Sequence, residues 1–150
     1  MQIRGRFRQW RINVAARGVG IAEGALQLAT QYSQTRETFG KPICEHQAIQ
    51  LKLGEMATRA RAARLLTLDA ADAFDRGDRC DLEAGMAKLL AARVAWAAAD
   101  NALQIHGGNG YAMEYPVSRV LCDARILNIF EGAAEIQAQV VCRGLIEGRN

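Results

Sequence analysis

The chain has few of the residues that mark several classes of protein. It contains two prolines, two histidines and four cysteines in 150 residues, and the cysteines form no CxxC pair. This spacing argues against a zinc knuckle or a thioredoxin-type motif, and it favours free thiols in a cytoplasmic or other reducing compartment such as the mitochondrial matrix. No apolar run is long enough to cross a bilayer, and no apolar stretch follows the N-terminal arginines as a signal peptide would require. We therefore expect neither a membrane span nor a secretory leader.

The charge is nearly balanced, with a net value of +3. Most of the excess lies near the N-terminus, in Arg4, Arg6, Arg8 and Arg11. A basic segment can contact phosphates, and a duplex-binding protein of this kind would bind with a strong dependence on salt. A solvated terminus is the favoured interpretation, so no nucleic acid partner is expected.

Apolar residues recur at steps of three and four along most of the chain, which is the period of a helix. The predicted first helix carries Ile12, Ala15, Val19, Ala22, Leu26 and Ala29. The second carries Ile49, Leu53, Met56, Ala60, Ala63, Thr67, Ala70 and Phe74. The third, in which Asp81 is a plausible N-cap, carries Met86, Leu90, Val94, Ala98, Ala102 and Ile105.

Two shorter helices are predicted near the C-terminus, at about 117–124 and 133–147. No segment alternates apolar and polar residues long enough to be a convincing strand. The expected fold is therefore all-α, an up-and-down four-helix-type bundle of three long helices with a C-terminal helical pair. We expect residues 1–10 to form a separate, flexible segment and residues 11–150 to form the helical domain.

Glu131 is the most informative residue of the chain. It follows Ile129 and Phe130 and precedes Gly132. Apolar neighbours remove water from a carboxylate and make it a better proton acceptor near neutral pH. The alternative is an ordinary acid in the first turn of a helix, where the helix dipole favours negative charge. The residues alone leave both interpretations open.

Two further stretches could contact a ligand. The glycine-rich run 107–110 is either a turn that ends a helix or a backbone that passes close to a flat or phosphorylated ligand. Arg36 could bind a phosphate beside Phe39 and Gly40, or it could be a helix-end arginine next to a packed phenylalanine. Neither histidine has a glutamate three residues before it, so no metal site is expected.

Together these stretches resemble the motifs of one family, the acyl-CoA dehydrogenases. The matching stretches are Arg36–Ile43, His46–Gln50, Gln104–Tyr111, Glu114–Val117, Asp123–Ile126 and Ile129–Gly132. The resemblance runs from about Arg11 to Arg143, in the order and with the gaps of the family's C-terminal helical domain.

The resemblance implies FAD as the cofactor. It implies that Arg36 reaches the FAD pyrophosphate of a neighbouring subunit and that Phe39 packs near the same cofactor. The other residues that it implies at the flavin site are Thr38, Gln47, Gln104, Gly108, Ala133 and Glu135. The family usually has threonine at the position of Ala133, so one hydroxyl hydrogen bond to FAD is absent here.

The resemblance also implies the reaction. Glu131 would remove the α-proton of an acyl-CoA thioester while the β-hydride passes to the flavin, with Gly132 beside the thioester and Arg11 near the bound acyl-CoA. The implied partners are a second or further copies of the chain, as a homodimer or homotetramer, and an electron-transfer flavoprotein. Family members also carry an N-terminal helical domain and a middle β-domain. We therefore expect weak FAD binding and little or no activity from this chain alone, the alternative being a non-catalytic helical interaction module.

Overall fold

The computed structural model describes the backbone of residues 2–148 and the side chains of residues 7–148. Over this range the chain forms α1 (Gln2–Thr35), α2 (Gln47–Asp75), α3 (Asp81–His106), α4 (Val117–Ile126) and α5 (Ala134–Ile146). Short 3₁₀ turns lie at Ile43–Glu45 and Gly107–Tyr111. The predicted all-α fold, with three long helices and a C-terminal helical pair, is confirmed.

Helix α3 lies at the centre of the domain and packs against α1, α2, α4 and α5. Small side chains allow this because they let neighbouring helices approach closely. A β-carbon added at Gly18 on α1 would lie 2.9 Å from the carbonyl oxygen of Ala91 on α3. Eight alanines of α3 are buried, namely Ala84, Ala87, Ala91, Ala92, Ala95, Ala98, Ala99 and Ala102. Helix α3 is therefore a fixed platform for the short elements around it.

The buried face of α3 differs in part from the predicted one. Met86 and Leu90 are only half-buried. One buried row instead follows alternate steps of four and three, through Ala84, Lys88, Ala91, Ala95, Ala98, Ala102 and Ile105. This row contains a fully buried lysine, which the sequence analysis does not anticipate.

One short hairpin departs from the predicted all-helical pattern. Strand β1 (Glu37–Thr38) pairs antiparallel with β2 (Lys41–Pro42). Phe39 and Gly40 form the turn between them, with φ values of 53° and 78°. Two successive residues with positive φ suit the tight turn of a two-residue hairpin loop. Strands of two residues are too short for their periodicity to appear in the sequence.

The N-terminal segment continues into the domain without a break, since α1 begins at Gln2. The side chains of Arg4 and Arg6 lie outside the described residues, as do Met1 and residues 149–150. The division of the chain at residue 10 and the flexibility of residues 1–10 stay predictions.

The start of α3 lies one residue from the predicted position. Cys80 is its N-cap, and Asp81 is its first residue rather than the cap. The carboxylate of Asp81 accepts hydrogen bonds from Arg8 at 3.0 Å and from Arg79 at 3.2 Å. Burial opposes ionisation of this carboxyl, but the two arginines outweigh burial and lower the pKa of Asp81. Asp81 thus joins the start of α3 to α1.

The apolar surface of the domain lies mainly on other helices. The eight α3 alanines are buried within the chain, so they are not available for contact with another copy. Three leucines of α2 are instead at least half exposed, namely Leu51, Leu65 and Leu68. None of the helices within residues 2–148 combines the length and apolar character that a membrane span requires.

Candidate functional site

Glu131 lies in the loop between α4 and α5, in a sharply turned backbone. Its φ is 52°, and that of Gly132 is 89°. A left-handed conformation costs a residue with a side chain roughly 1–2 kcal/mol, so surrounding contacts must hold it in place. Glu131 is not in the first turn of a helix, which removes the alternative interpretation of this acid. Glu135 occupies the first turn of α5.

Helix α3 holds this loop at two points that are one helical turn apart. The side-chain nitrogen of Lys88 donates to the carbonyl oxygen of Gly132 at 2.6 Å. The Asn128 side-chain amide donates to the carbonyl oxygen of Ala92 at 3.1 Å. The carbonyl of Asn128 in turn accepts from the N–H of Ala134 at 3.1 Å, where α5 begins. The position of the loop is thus fixed to the core.

Gln137 makes the third contact to the loop. It is fully buried, and its Nε2 donates to the same Gly132 carbonyl at 3.2 Å. Its Oε1 has no hydrogen-bond partner among the described residues. A β-carbon at Gly132 would collide with the Gln137 amide, so this position requires glycine for both its space and its positive φ.

The expected apolar shielding of Glu131 is wrong for this chain by itself. The Glu131 side chain is exposed, and Ile129 is 54 % exposed. Phe130 packs instead against the core cluster that contains Val14 and Leu127. The turned backbone therefore presents the carboxylate outward from the domain. The role of Glu131 as a base stays a prediction.

Ala133 and Glu135, two of the implied cofactor residues, line an open cleft of about 750 Å³ beside this loop. Its other lining residues are Arg93, Trp96, Arg125, Asn128, Ile129 and Ala134. The Arg125 guanidinium lies 5.8 Å from the centre of the Trp96 ring, within reach of a cation–π interaction. Two arginines make the cleft suitable for an anionic group, and neither is among the predicted site residues.

A second group of predicted residues meets at the other end of α3. Arg36, Thr38 and Gly108 come from separate stretches of sequence and line one cleft of about 390 Å³. Its other lining residues are Tyr32, Ile43, Ile105, His106, Gly107 and Asn109. The run 107–110 both ends α3 and lines this cleft, so its two interpretations are compatible.

Aromatic and polar contacts give this second cleft a fixed wall. Tyr32 stacks on the buried His106 ring with centroids 4.2 Å apart. The Asn109 amide donates to the Tyr32 hydroxyl at 2.9 Å. Thr38 Oγ1 lies 3.1 Å from His46 Nε2, which connects the hairpin to the start of α2.

Three other implied cofactor residues do not line this cleft. Phe39 is 97 % exposed, so the alternative of a packed phenylalanine is wrong, and its ring is nearly perpendicular to that of His46, with centroids 6.1 Å apart. Gln47 and Gln104 are exposed at neighbouring helix ends. These side chains are available to a ligand or to another polypeptide.

Arg11, the implied substrate residue, is half-buried on α1. It lines a cleft of about 380 Å³ whose other residues are Phe7, Arg79, Asp81, Leu82, Val140, Arg143, Gly144 and Glu147. Burial lowers the pKa of Arg11, and the nearby carboxylate of Asp81 opposes that effect.

Lys88 connects Arg11 to the Glu131 loop. Burial lowers the pKa of Lys88, the charges of Glu135 and Glu131 oppose this, and Arg11 adds to it. The buried lysine therefore interacts with an implied catalytic, a cofactor and a substrate residue. Its signal in the sequence is a lysine within a row of alanines at helical spacing.

The two groups lie at opposite ends of α3. Lys88 and His106 are eighteen positions apart on this helix, which at about 1.5 Å per residue is about 27 Å. One group contains Glu131, Gly132, Ala133 and Glu135, and the other contains Arg36, Thr38 and Gly108. The two groups thus contact different parts of α3 and line separate clefts.

Comparison with known proteins identifies the family. The family model described as "Acyl-CoA dehydrogenase, C-terminal domain" matches residues 1–146. The chain belongs to the acyl-CoA dehydrogenase family, whose members depend in general on a flavin cofactor. No group of metal-ligating side chains of a kind that could hold an ion occurs in the described part of the chain.

Individual relatives match nearly the whole chain. The (2S)-methylsuccinyl-CoA dehydrogenase of Cereibacter sphaeroides is 61% identical over 141 residues, which cover 94% of this chain and 26% of the relative. The caffeyl-CoA reductase-Etf complex subunit CarC of Acetobacterium woodii is 39% identical, over 91% of this chain and 36% of its own. The butyryl-CoA dehydrogenase structure from Megasphaera elsdenii superposes with a TM-score of 0.92 at 43% identity, over 93% of this chain and 37% of that one. The chain thus spans about a quarter to just over a third of these proteins.

Proposed function

We propose that this chain is the part of an FAD-dependent acyl-CoA dehydrogenase that supplies the catalytic base and part of two flavin sites. The observation that supports this most is the outward presentation of Glu131 by a strained turn that is fixed to α3. An acid held in this way can contact a ligand that is enclosed between this chain and another polypeptide. Closure by that polypeptide would then exclude the water that surrounds Glu131 in this chain.

The base step uses two groups of one residue. The Glu131 carboxylate takes the α-proton of the thioester. The backbone N–H of Glu131 donates to no acceptor among the described residues, so it is available to the thioester oxygen, on which negative charge develops. Gly132 leaves room beside both groups. FAD, when bound, supplies the acceptor for the hydride that leaves the β-carbon.

One cleft of this chain suits the pyrophosphate of FAD. The cleft of Arg36, Thr38 and Gly108 offers a guanidinium, a hydroxyl and a close backbone, which suit a pyrophosphate. The Glu131 loop and the Arg36 cleft contact different parts of α3, and no cleft of the described residues contains both Glu131 and Arg36. We therefore infer that Arg36 contacts the FAD whose flavin ring faces Glu131 of a neighbouring copy, in a homodimer or homotetramer.

The names of the relatives support a substrate class and an electron acceptor. The relatives above are named for acyl-CoA substrates, and one is named as part of an Etf complex. We propose an acyl-CoA thioester as substrate and an electron-transfer flavoprotein as partner.

A non-catalytic interaction module is the second candidate. Ala133 favours it, because the hydroxyl that the family usually places against the flavin is absent. A lost neutral hydrogen bond weakens binding by about 0.5–1.5 kcal/mol, which reduces affinity without abolishing it. Loss of activity on Glu131→Gln in an assembled enzyme separates the two candidates.

The cofactor proposal is tested by titrating the purified chain with FAD and following flavin fluorescence. We expect weak binding that Arg36→Gln reduces by roughly tenfold or more, since hydrogen bonds to charged groups contribute about 1.5–3 kcal/mol. Arg64→Gln is the matched control, because Arg64 is an exposed α2 residue paired with Glu23 at 3.0 Å. Equal affinity of the two variants would contradict the role of Arg36. A chain that purifies yellow and reduces a dye with acyl-CoA would contradict its incompleteness.

A further inference from the structure

We propose that Lys88 is a positioning residue that sets the backbone geometry of the catalytic turn at Glu131 and Gly132. Its significance for catalysis depends on the proposed function, whereas its effect on the turn does not.

The position of Lys88 is costly for a lysine. Lysine is almost never fully buried unless it is paired, because its side-chain nitrogen loses its hydration. Lys88 is 0 % exposed and lies in a row otherwise occupied by alanine and isoleucine. An apolar residue would fill that row without this penalty, so we infer that the polar group of Lys88 makes a specific contact.

The contact that Lys88 makes defines this use. Its nitrogen reaches from the fixed platform of α3 to the Gly132 carbonyl at 2.6 Å, and that carbonyl also accepts from Gln137. Two donors on one carbonyl oxygen fix the plane of the peptide group between Gly132 and Ala133. Glu131 directly precedes Gly132, and both residues have a positive φ. The orientation of this peptide plane therefore helps to determine where the Glu131 carboxylate and N–H point.

Electrostatic contacts support the same assignment. The charges of Glu135, Arg11 and Glu131 all affect Lys88. Lys88 is buried and bonded to the Gly132 carbonyl, whereas the Glu131 side chain is exposed, so the lysine supports the turn from within the domain.

The first test uses the unaltered chain and the variant Lys88→Met, with hydrogen exchange followed by NMR. We expect the Ala134 amide, which is bonded to Asn128, to exchange at least tenfold faster in Lys88→Met, while the Ala95 amide in the core of α3 changes less than twofold. Lys52→Met is the matched control, since the Lys52 nitrogen donates to Asn101 at 2.7 Å far from the turn. Lys88→Arg, which retains donors, should restore part of the protection. Equal Ala134 exchange in Lys88→Met and the unaltered chain would overturn the proposal.

A second measurement needs no variant, so it applies even where Lys88→Met does not fold. In the unaltered chain, an NOE is expected between the Lys88 ε-protons and an α-proton of Gly132 or Ala133, because these α-carbons flank the carbonyl oxygen that the Lys88 nitrogen contacts at 2.6 Å. Its absence, in a sample whose other α3 contacts are observed, would overturn the proposal.

The catalytic part is tested with residues 11–148 joined to the N-terminal remainder of the Cereibacter relative. There Lys88→Met should lower kcat about tenfold or more, with KM and bound FAD within about threefold, because a misplaced catalytic group reduces rate more than binding. A loss of FAD with unchanged kcat per bound flavin would indicate a purely structural role and overturn the proposal. If Glu131→Gln stays active in the same protein, the proposed function fails. If Glu131→Gln is inactive while Lys88→Met keeps its kcat, only the Lys88 inference fails.

Discussion

Replacing Gly132 by alanine tests the description of the catalytic turn. The residue has a φ of 89°, and a β-carbon there would collide with the Gln137 amide. The left-handed backbone costs alanine roughly 1–2 kcal/mol. Displacing the buried Gln137 amide removes a hydrogen bond worth about 1 kcal/mol. The smaller entropy of the unfolded alanine chain offsets about 0.4–1 kcal/mol of this, so we expect Gly132→Ala to lower the free energy of unfolding by about 1–2.5 kcal/mol.

Gly77→Ala is the control that separates these two effects. Gly77 has a similar φ of 80°, but no atom lies within 4 Å of the position of its added β-carbon. It should therefore show the backbone cost alone, reduced by the smaller entropy of the unfolded alanine chain, which favours folding by about 0.4–1 kcal/mol.

The assay is urea denaturation of the full chain followed by far-ultraviolet circular dichroism. The left-handed cost and the entropy change are common to both substitutions, so Gly132→Ala should be less stable than Gly77→Ala by about 1 kcal/mol, the contribution of the Gln137 contact. Adding Gln137→Ala to Gly132→Ala should remove most of the collision, although it leaves a cavity of its own. Equal stabilities of Gly132→Ala and Gly77→Ala would refute the reasoning, because the Gln137 contact would then contribute nothing.

Two further predictions concern pH. Burial lowers the pKa of Lys88 below 10.5, so between the lowered pKa and 10.5 the unfolded chain binds more protons and the free energy of unfolding rises with pH. This rise should be absent from Lys88→Met. Burial raises the pKa of Cys80, which makes the free energy of unfolding fall with pH in the same range. Both proteins contain Cys80, so comparing them in the same buffers cancels that contribution. For Asp81, whose pKa lies below 3.8, the stabilisation present above 3.8 should disappear as pH falls through the lowered pKa. Asp81→Asn should remove this pH-dependent stabilisation, which we expect to be less than about 1 kcal/mol because the ion pairs of Asp81 are partly exposed. Acid titration of the stability of both proteins measures the difference.

Much of the helical framework could be predicted from the sequence, because a period of 3.6 residues repeats over many turns. The long helices and the turn at Gly77 follow from this period and from glycine punctuation. The burial of Lys88 and its contact with Gly132 could not be predicted from this period, because a pattern of apolar and polar residues treats a lysine as a surface residue. The hairpin at 37–42 could not be predicted from the sequence either, because each strand has only two residues.

The candidate site was predictable in composition but not in geometry. The residues around Arg36 and Gly108 are far apart in sequence, and only packing at the end of α3 brings them to one cleft. The apolar neighbours of Glu131 suggest a shielded carboxylate, yet the left-handed turn directs Phe130 into the core and the acid outward. A change of backbone hand at one residue carries no periodic signal, so this reversal is visible only in the structure.

The central claim is that Glu131 removes a proton from an acyl-CoA thioester. The most direct measurement is the anaerobic bleaching of the flavin absorbance by acyl-CoA, in residues 11–148 joined to the Cereibacter remainder and loaded with FAD. Glu131→Gln should slow the bleaching by about a hundredfold or more, the usual contribution of a general base. Glu55→Gln, at an exposed α2 residue paired with Arg59, should leave it unchanged. Bleaching of the Glu131→Gln protein at the rate of the Glu55→Gln protein would contradict the account.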